Sequence, residues 1–252
     1  DSNLAYTSHG APIMLGSVIP CRSEGHDPDL GALCRQDLLD LIKSCGKKKD
    51  LCEARRIHSD IILHRKIFLK DICVRNAILS MYTRCGSLQE AREAFDNEDF
   101  AMRRNIVSWN TLISGYAENG LIHEAIQCYV KLRNEKLCPN KITFLCLLKA
   151  CSKTPCLKIG EYIHSEINKQ GFSVTKCVVI GTALVDMYAK CGALGKARQL
   201  FNELLTRNAI SWGVMITGYV RYGLYEESIT LSRHMKNEGI PPTASTFTSV
   251  LK

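Results

Sequence analysis

With 252 residues, 46% of them hydrophobic, the chain has ample apolar material for a continuous core, yet no run approaches the roughly 18 apolar residues of a membrane-spanning helix. Thirty-three Lys and Arg against 25 Asp and Glu leave a formal charge of +8, a modest excess that favours a polyanionic partner without defining one. Thirteen cysteines raise the question of disulfides. Cys45, Cys85, Cys151 and Cys191 fall at equivalent places beside small residues in helical patterns, so they read as small packing groups in a reducing, intracellular compartment.

Residues 1 to 34 carry Gly10, Pro12, Gly16, Pro20, Gly25, Pro28 and Gly31 without a sustained period and are expected to form an irregular leader with little order before Leu33. The chain opens at Asp1 without an initiator Met and closes at Lys252 inside a repeat, so targeting signals cannot be read from it. From Arg35 onward the pattern is helical. Trp109, Leu112, Ile113 and Tyr116 follow the spacing of one buried helix stripe, and Asn119-Gly120 supplies a residue tolerant of positive φ that ends it. Ala125, Cys128, Tyr129 and Leu132 form a second stripe directly after the turn. Pro139 is predicted to close the unit, because the residue before a proline resists the helical conformation.

Two antiparallel helices per unit follow. The same pattern gives units at about 35 to 71, 72 to 105, 106 to 140, 141 to 177, 178 to 208 and 209 to 243. Residues 244 to 252 open a seventh, whose missing second helix is expected to leave apolar surface exposed.

These units repeat in a fixed order. Ile106 to Tyr116 (IVSWNTLISGY) returns at Ala209 to Tyr219 (AISWGVMITGY), 103 residues later. Met81-Tyr82-Thr83-Arg84-Cys85-Gly86 returns as Met187-Tyr188-Ala189-Lys190-Cys191-Gly192, and Ile57-His58-Ser59 as Ile163-His164-Ser165, both after 106. Three kinds of unit, each about 31 to 37 residues long, therefore cycle. Each buries its apolar face only against its neighbours, which defines a solenoid whose function lies on an extended concave surface.

The cycle resembles the long, short and standard units of plant pentatricopeptide repeat proteins of the mixed-length class. Leu148-Lys149-Ala150-Cys151 with Ile163-His164 is similar to their long unit, Ala183 to Gly192 (ALVDMYAKCG) to their short one, and Val107 to Tyr116 (VSWNTLISGY) to their standard one. The Trp, Leu-Gly and Tyr spacing of a tetratricopeptide array is not found. The resemblance covers about residues 35 to 252 and implies an all-α, right-handed alpha-solenoid superhelix of helix-turn-helix repeats. It also implies a ligand, single-stranded RNA, with about one base read per repeat by two or three side chains of the first helix.

By the family's rule the fifth and last residues of each unit form the reading pair. Carried over, the resemblance implies Asn76 with Asn105 and Asn110 with Asn140 for pyrimidines, and Thr182 with Asn208 for adenine. The long units offer Leu39 with Asp71 and Leu145 with Cys177, whose apolar members cannot read a base by hydrogen bonding, and the second standard unit offers Gly213 with Thr243. The implied footprint, 5′ to 3′ along the protein from N to C, is any, pyrimidine, pyrimidine, any, adenine, any. Cys73, Val107, Ile142, Val179 and Ile210 are the aligned residues implied to wedge apolar side chains against the base faces. The first short unit is about three residues longer than the second, with Asp96 to Arg104 as the insertion, which is expected to displace Asn105 from its base.

His164-Ser165-Glu166 copies the opening of zinc-dependent nucleotide deaminases, but no Cys-x-x-Cys follows it, and its alignment with His58-Ser59-Asp60 gives it a structural explanation. Cys151 and Cys156 are too far apart in sequence, across Thr154-Pro155, for a zinc pair. No metal, cofactor or catalytic residue is expected. The resemblance implies a specificity factor for C-to-U editing of transcripts in a mitochondrion or chloroplast, working with editing-complex proteins and with catalysis supplied by a C-terminal domain or a partner. RNA stabilisation or splicing, and a protein-interaction scaffold, are the alternatives.

Overall fold

The computed structural model describes residues 34–64, 66–97, 104–244, 246 and 248. The leader, most of the extra segment before Arg104 and most of the seventh unit lie outside them. Twelve α-helices follow in pairs among the described residues: α1 (Arg35–Lys48) with α2 (Leu51–His64), α3 (Ile72–Arg84) with α4 (Leu88–Asp96), and α5 (Ile106–Glu118) with α6 (Ile122–Asn134). Then come α7 (Lys141–Lys153) with α8 (Leu157–Lys169), α9 (Val178–Lys190) with α10 (Leu194–Glu203), and α11 (Ala209–Arg221) with α12 (Tyr225–Asn237). A short 3-10 turn, Lys66–Lys70, joins the first pair to the second. No helix among the described residues is long and apolar enough to cross a membrane.

The first helices α1, α3, α5, α7, α9 and α11 pack in succession, each second helix packs on its own first helix, and α2, α4, α6, α8 and α10 also pack on the first helix of the following unit. The first helices are thus the closely spaced layer and line the inner face of the stack, with the second helices outside. Both stripes read from the sequence are buried: Trp109, Leu112, Ile113 and Tyr116 on α5, and Ala125, Cys128, Tyr129 and Leu132 on α6. One hydrophobic core runs through every pair.

Close helix approach has a local cause. A Cβ on Gly115 would stand 2.6 Å from the Thr83 methyl of α3, so only glycine lets α5 lie this near its neighbour. The predicted turn after α5 is made by Gly120 at φ +71°. The second helix ends some residues before the unit does. Helix α6 stops at Asn134, and Lys136, at φ +59°, turns the chain well before Pro139, which is itself buried in the extended approach to α7. The left-handed turn, not the proline, ends this helix.

Aromatic clusters bind neighbouring units. Trp109 meets Phe95 of α4 edge-on at 4.6 Å, its indole N–H donates to Glu135 Oε2 at 2.9 Å, and the Arg104 guanidinium lies 4.4 Å over the Phe95 ring. Phe201 and Trp212 repeat the ring contact at 4.9 Å, but the Trp212 indole nitrogen has no acceptor among the described residues.

The His-x-Glu segment has the structural role its repeat position suggests. His164 Nδ1 lies 3.0 Å from the Tyr188 hydroxyl, as His58 Nδ1 lies 2.9 Å from that of Tyr82, and Glu166 accepts from the Tyr129 hydroxyl at 2.9 Å. Burial pulls both histidines below their ordinary value of 6.5. A buried neutral histidine leaves stability intact above the unfolded value; below it the unfolded chain takes up protons that the folded chain does not. Thermal stability should therefore decline as pH falls from 7 to 5, and a His58→Phe/His164→Phe double variant should flatten that decline in a melting series across pH.

Candidate RNA interface

The start of a first helix needs an acceptor for its unpaired N–H groups, and for α3, α5, α7 and α11 the last residue of the preceding unit supplies it, whereas Cys177 before α9 makes no side-chain cap. Asn105 Oδ1 accepts from the Val107 and Ser108 amides at 3.0 Å, Asn140 Oδ1 from the Thr143 amide at 3.1 Å and Asn208 Oδ1 from the Ser211 amide at 2.9 Å. Asp71 caps α3 through the Cys73 amide at 2.8 Å and is also ion-paired with Arg35, which holds its carboxyl below the usual carboxylate range. These last residues therefore sit at helix starts on the first-helix layer. Despite the longer first short unit, Asn105 caps α5 in the same extended backbone conformation in which Asn140 caps α7. The helix cap sets its position whatever the length of the segment before it.

Side-by-side first helices then bring fifth and last residues together. Asn110 Nδ2 donates to Asn140 Oδ1 at 3.1 Å, and the pair meets the Thr143 hydroxyl, which donates to Asn110 Oδ1 at 2.7 Å. Asn76 and Asn105 are joined through Ser108, whose hydroxyl lies 2.7 Å from Asn76 Oδ1 and 3.1 Å from Asn105 Oδ1. The third pair is not joined in this way. Thr182 is buried, its hydroxyl oxygen without a partner among the described residues, while Asn208 is exposed.

Of the remaining positions, Leu39 is buried in the core, and Leu145 and Cys177 are half-buried. Gly213 is buried, and Thr246 Oγ1 lies 3.2 Å from where its Cβ would be, with Thr243 and Thr246 hydroxyls 2.9 Å apart. Val107, Ile142, Val179 and Ile210 stand out on the same layer with 51%, 57%, 48% and 65% of their surface exposed, and Cys73 is exposed as well. Large aliphatic side chains this open, at the second position of four successive units, are a recurrent apolar feature of the first-helix face.

A groove of about 910 Å³ contains Val107, Asn110, Asn140 and Ile142 together with Lys47, Lys49 and Arg84. A second, of about 330 Å³, contains Ile210, Gly213 and Thr243 with Lys190 and Arg221. The cations recur at one place in the unit, a pattern not singled out from the sequence. Lys47, Arg84, Lys153, Lys190 and Arg221 all lie in the last turn of a first helix, where they also complement the helix dipole. Their recurrence at one place in the unit was the available signal. Among the described residues, no group of three His, Cys, Asp or Glu is placed to hold a metal ion.

This architecture defines a helix-pair solenoid repeat protein whose inner face presents a polar pair in three of its units and an open aliphatic side chain in four. Residues 104–153 and 207–252 match the PPR repeat family, and residues 74–97 and 182–208 match the PPR repeat. The chain belongs to the pentatricopeptide repeat family. A chloroplastic pentatricopeptide repeat-containing protein of Arabidopsis thaliana is 37% identical over 203 residues, 81% of this chain and 24% of that protein. A mitochondrial one from the same plant is 36% identical over 211 residues, 84% of this chain and 30% of that protein. The chain thus spans about a quarter to a third of these relatives. Among solved structures, the pentatricopeptide repeat protein PPR10 in complex with an 18-nt psaJ RNA element superposes with a TM-score of 0.72 at 19% identity, covering 87% of this chain and 32% of that one. PPR10 from maize superposes with a TM-score of 0.61 at 17% identity, covering 86% of this chain and 36% of that one. Both are alike in fold.

Proposed function

We propose that this array binds single-stranded RNA along its first-helix face and reads bases through the pairs Asn76 with Asn105, Asn110 with Asn140, and Thr182 with Asn208. The observation that carries this reading is the Asn110–Asn140 pair, hydrogen-bonded at 3.1 Å in a groove it shares with the exposed side chains of Val107 and Ile142. An unstacked base needs an apolar surface for its face and amide groups for its Watson–Crick edge, and this arrangement offers both. The RNA in the PPR10 complex supports the same ligand class.

The recurring last-turn cations suit a phosphate backbone running across successive units. Lys190 is already paired with Asp186 at 2.7 Å and Lys153 with Glu118 at 3.5 Å, so Lys47, Arg84 and Arg221 are the better placed to neutralise phosphates. Each phosphate neutralised on a single strand contributes about −0.7 to the slope of log affinity against log salt, so a slope of about −2 is expected. Affinity measured across a salt series, with an Arg84→Ala variant, checks this; the variant should flatten the slope by about 0.7 without altering base preference.

The whole protein we read as a mixed-length-class specificity factor for C-to-U editing in a mitochondrion or chloroplast. The recurrence of long, short and standard units supports the class, and the chloroplastic and mitochondrial relatives support an organelle. In this reading the array positions a transcript, and chemistry is supplied by a further domain or by editing-complex proteins. Retention of short single-stranded RNA by the purified chain at low salt is the direct test of the ligand class. Absence of RNA retention, together with protein capture insensitive to ribonuclease, would mean a scaffold instead.

A further inference from the structure

The third residue of a unit lies on the first helix and caps its own start, which makes Ser108, Thr143, Ser211 and Thr246 look like purely structural residues. Two of them do more. Thr143 Oγ1 accepts from the Asn140 backbone N–H at 3.1 Å, and its single proton lies toward Asn110 Oδ1 at 2.7 Å, the shorter of its contacts with the two amide oxygens. Asn140 cannot turn its amide over, because its Oδ1 caps α7 through the Thr143 amide. Asn110 must therefore face it with Nδ2, and this aims Asn110 Oδ1 at the threonine hydroxyl. One proton on Nδ2 and one lone pair on Oδ1 are left for a base. The Ser108 hydroxyl makes the corresponding two contacts, 2.7 Å to Asn76 Oδ1 and 3.1 Å to Asn105 Oδ1.

We propose that the third-position hydroxyls Thr143 and Ser108 are positioning residues that fix the amide orientation of the reading asparagine in the preceding unit, and so contribute to base preference from outside the reading pair. The inference rests on the RNA-reading function proposed above. It is limited to asparagine at the fifth position. Where that residue is Thr182, the Ser211 hydroxyl turns to the Asn208 carbonyl at 2.9 Å and the Thr182 hydroxyl has no partner among the described residues.

The test compares RNAs of equal length that carry a pyrimidine or a purine at the base assigned to Asn110, or at the base assigned to Asn76, against the full chain and three variants. Thr143→Val keeps the shape and removes the hydroxyl. It should lower the pyrimidine-to-purine affinity ratio at the Asn110 base by about three- to tenfold, the loss expected for one net hydrogen bond, and leave the ratio at the Asn76 base alone. Thr143→Ser should restore it. Ser108→Ala should shift the ratio at the Asn76 base instead, and gives an independent reading if Thr143→Val folds poorly. Equal weakening for all RNAs with the ratio unchanged, in either unit, would reduce the hydroxyls to helix caps and overturn the proposal. A wild-type chain that shows no ratio at either base would overturn the RNA-reading function itself, and this inference with it.

Discussion

Trp109→Ala should lower the stability of the array by about 3–5 kcal/mol, the range for removing a fully buried aromatic. Only 1% of Trp109 is exposed, and it joins three elements at once: Phe95 of α4, its own helix α5, and Glu135 at the end of α6. Its loss leaves a cavity between two units and strips Glu135 of its indole donor, while Arg104 keeps its place over Phe95 with one stacking neighbour fewer. Because each repeat is stabilised only by its neighbours, such damage at the centre of the array should also broaden unfolding. Trp212→Ala removes a ring packed on Phe201 in the same way but no indole hydrogen bond, since that nitrogen has no acceptor among the described residues. Its cost should be smaller by about 1 kcal/mol. Urea unfolding followed by circular dichroism, with both variants side by side, checks the size and the order.

The second large effect concerns binding. Asn110→Ala should reduce preference for the pyrimidine-bearing RNA by about tenfold, equivalent to about 1.4 kcal/mol, because it removes the one amide in direct contact with both Asn140 and Thr143. Affinity for a strand with a purine at that base should change far less. Asn110 is nearly buried, with 7% of its surface exposed, so a modest fall in melting temperature is also expected. The ratio of affinities separates the two effects, since lost stability lowers binding to both strands alike. Thr182→Ala is expected to affect only the base assigned to adenine, through an open hydroxyl and not a preset network.

Much of this molecule was legible in residue order alone, for identifiable reasons. A unit that buries two stripes must repeat them, so Trp109 to Tyr116 and Ala125 to Leu132 located two helices and Gly120 located the turn between them. The last-residue asparagines were singled out by the family's rule; that they are also helix caps ties their place to backbone geometry, and Asn105 caps α5 even after a longer connection. Three things escaped. Helix α6 ends through a lysine in the left-handed conformation, which lysine does not advertise. The last-turn cations stand one or two units apart in sequence and come near one another only when first helices stack. The hydroxyl of Thr143 reaches Asn110 across 33 residues, and no spacing within one helix foretells a contact between two.

The central claim is base readout by paired side chains, and the most direct measurement is equilibrium binding of the chain to two short single-stranded RNAs of equal length. One carries pyrimidine, pyrimidine, any, adenine in order; the other carries purines at the first two places and cytosine at the last. A clear preference for the first, lost in the Asn110→Ala and Thr182→Ala variants, is the predicted result. Equal affinity for both strands, unchanged by either substitution, would contradict it.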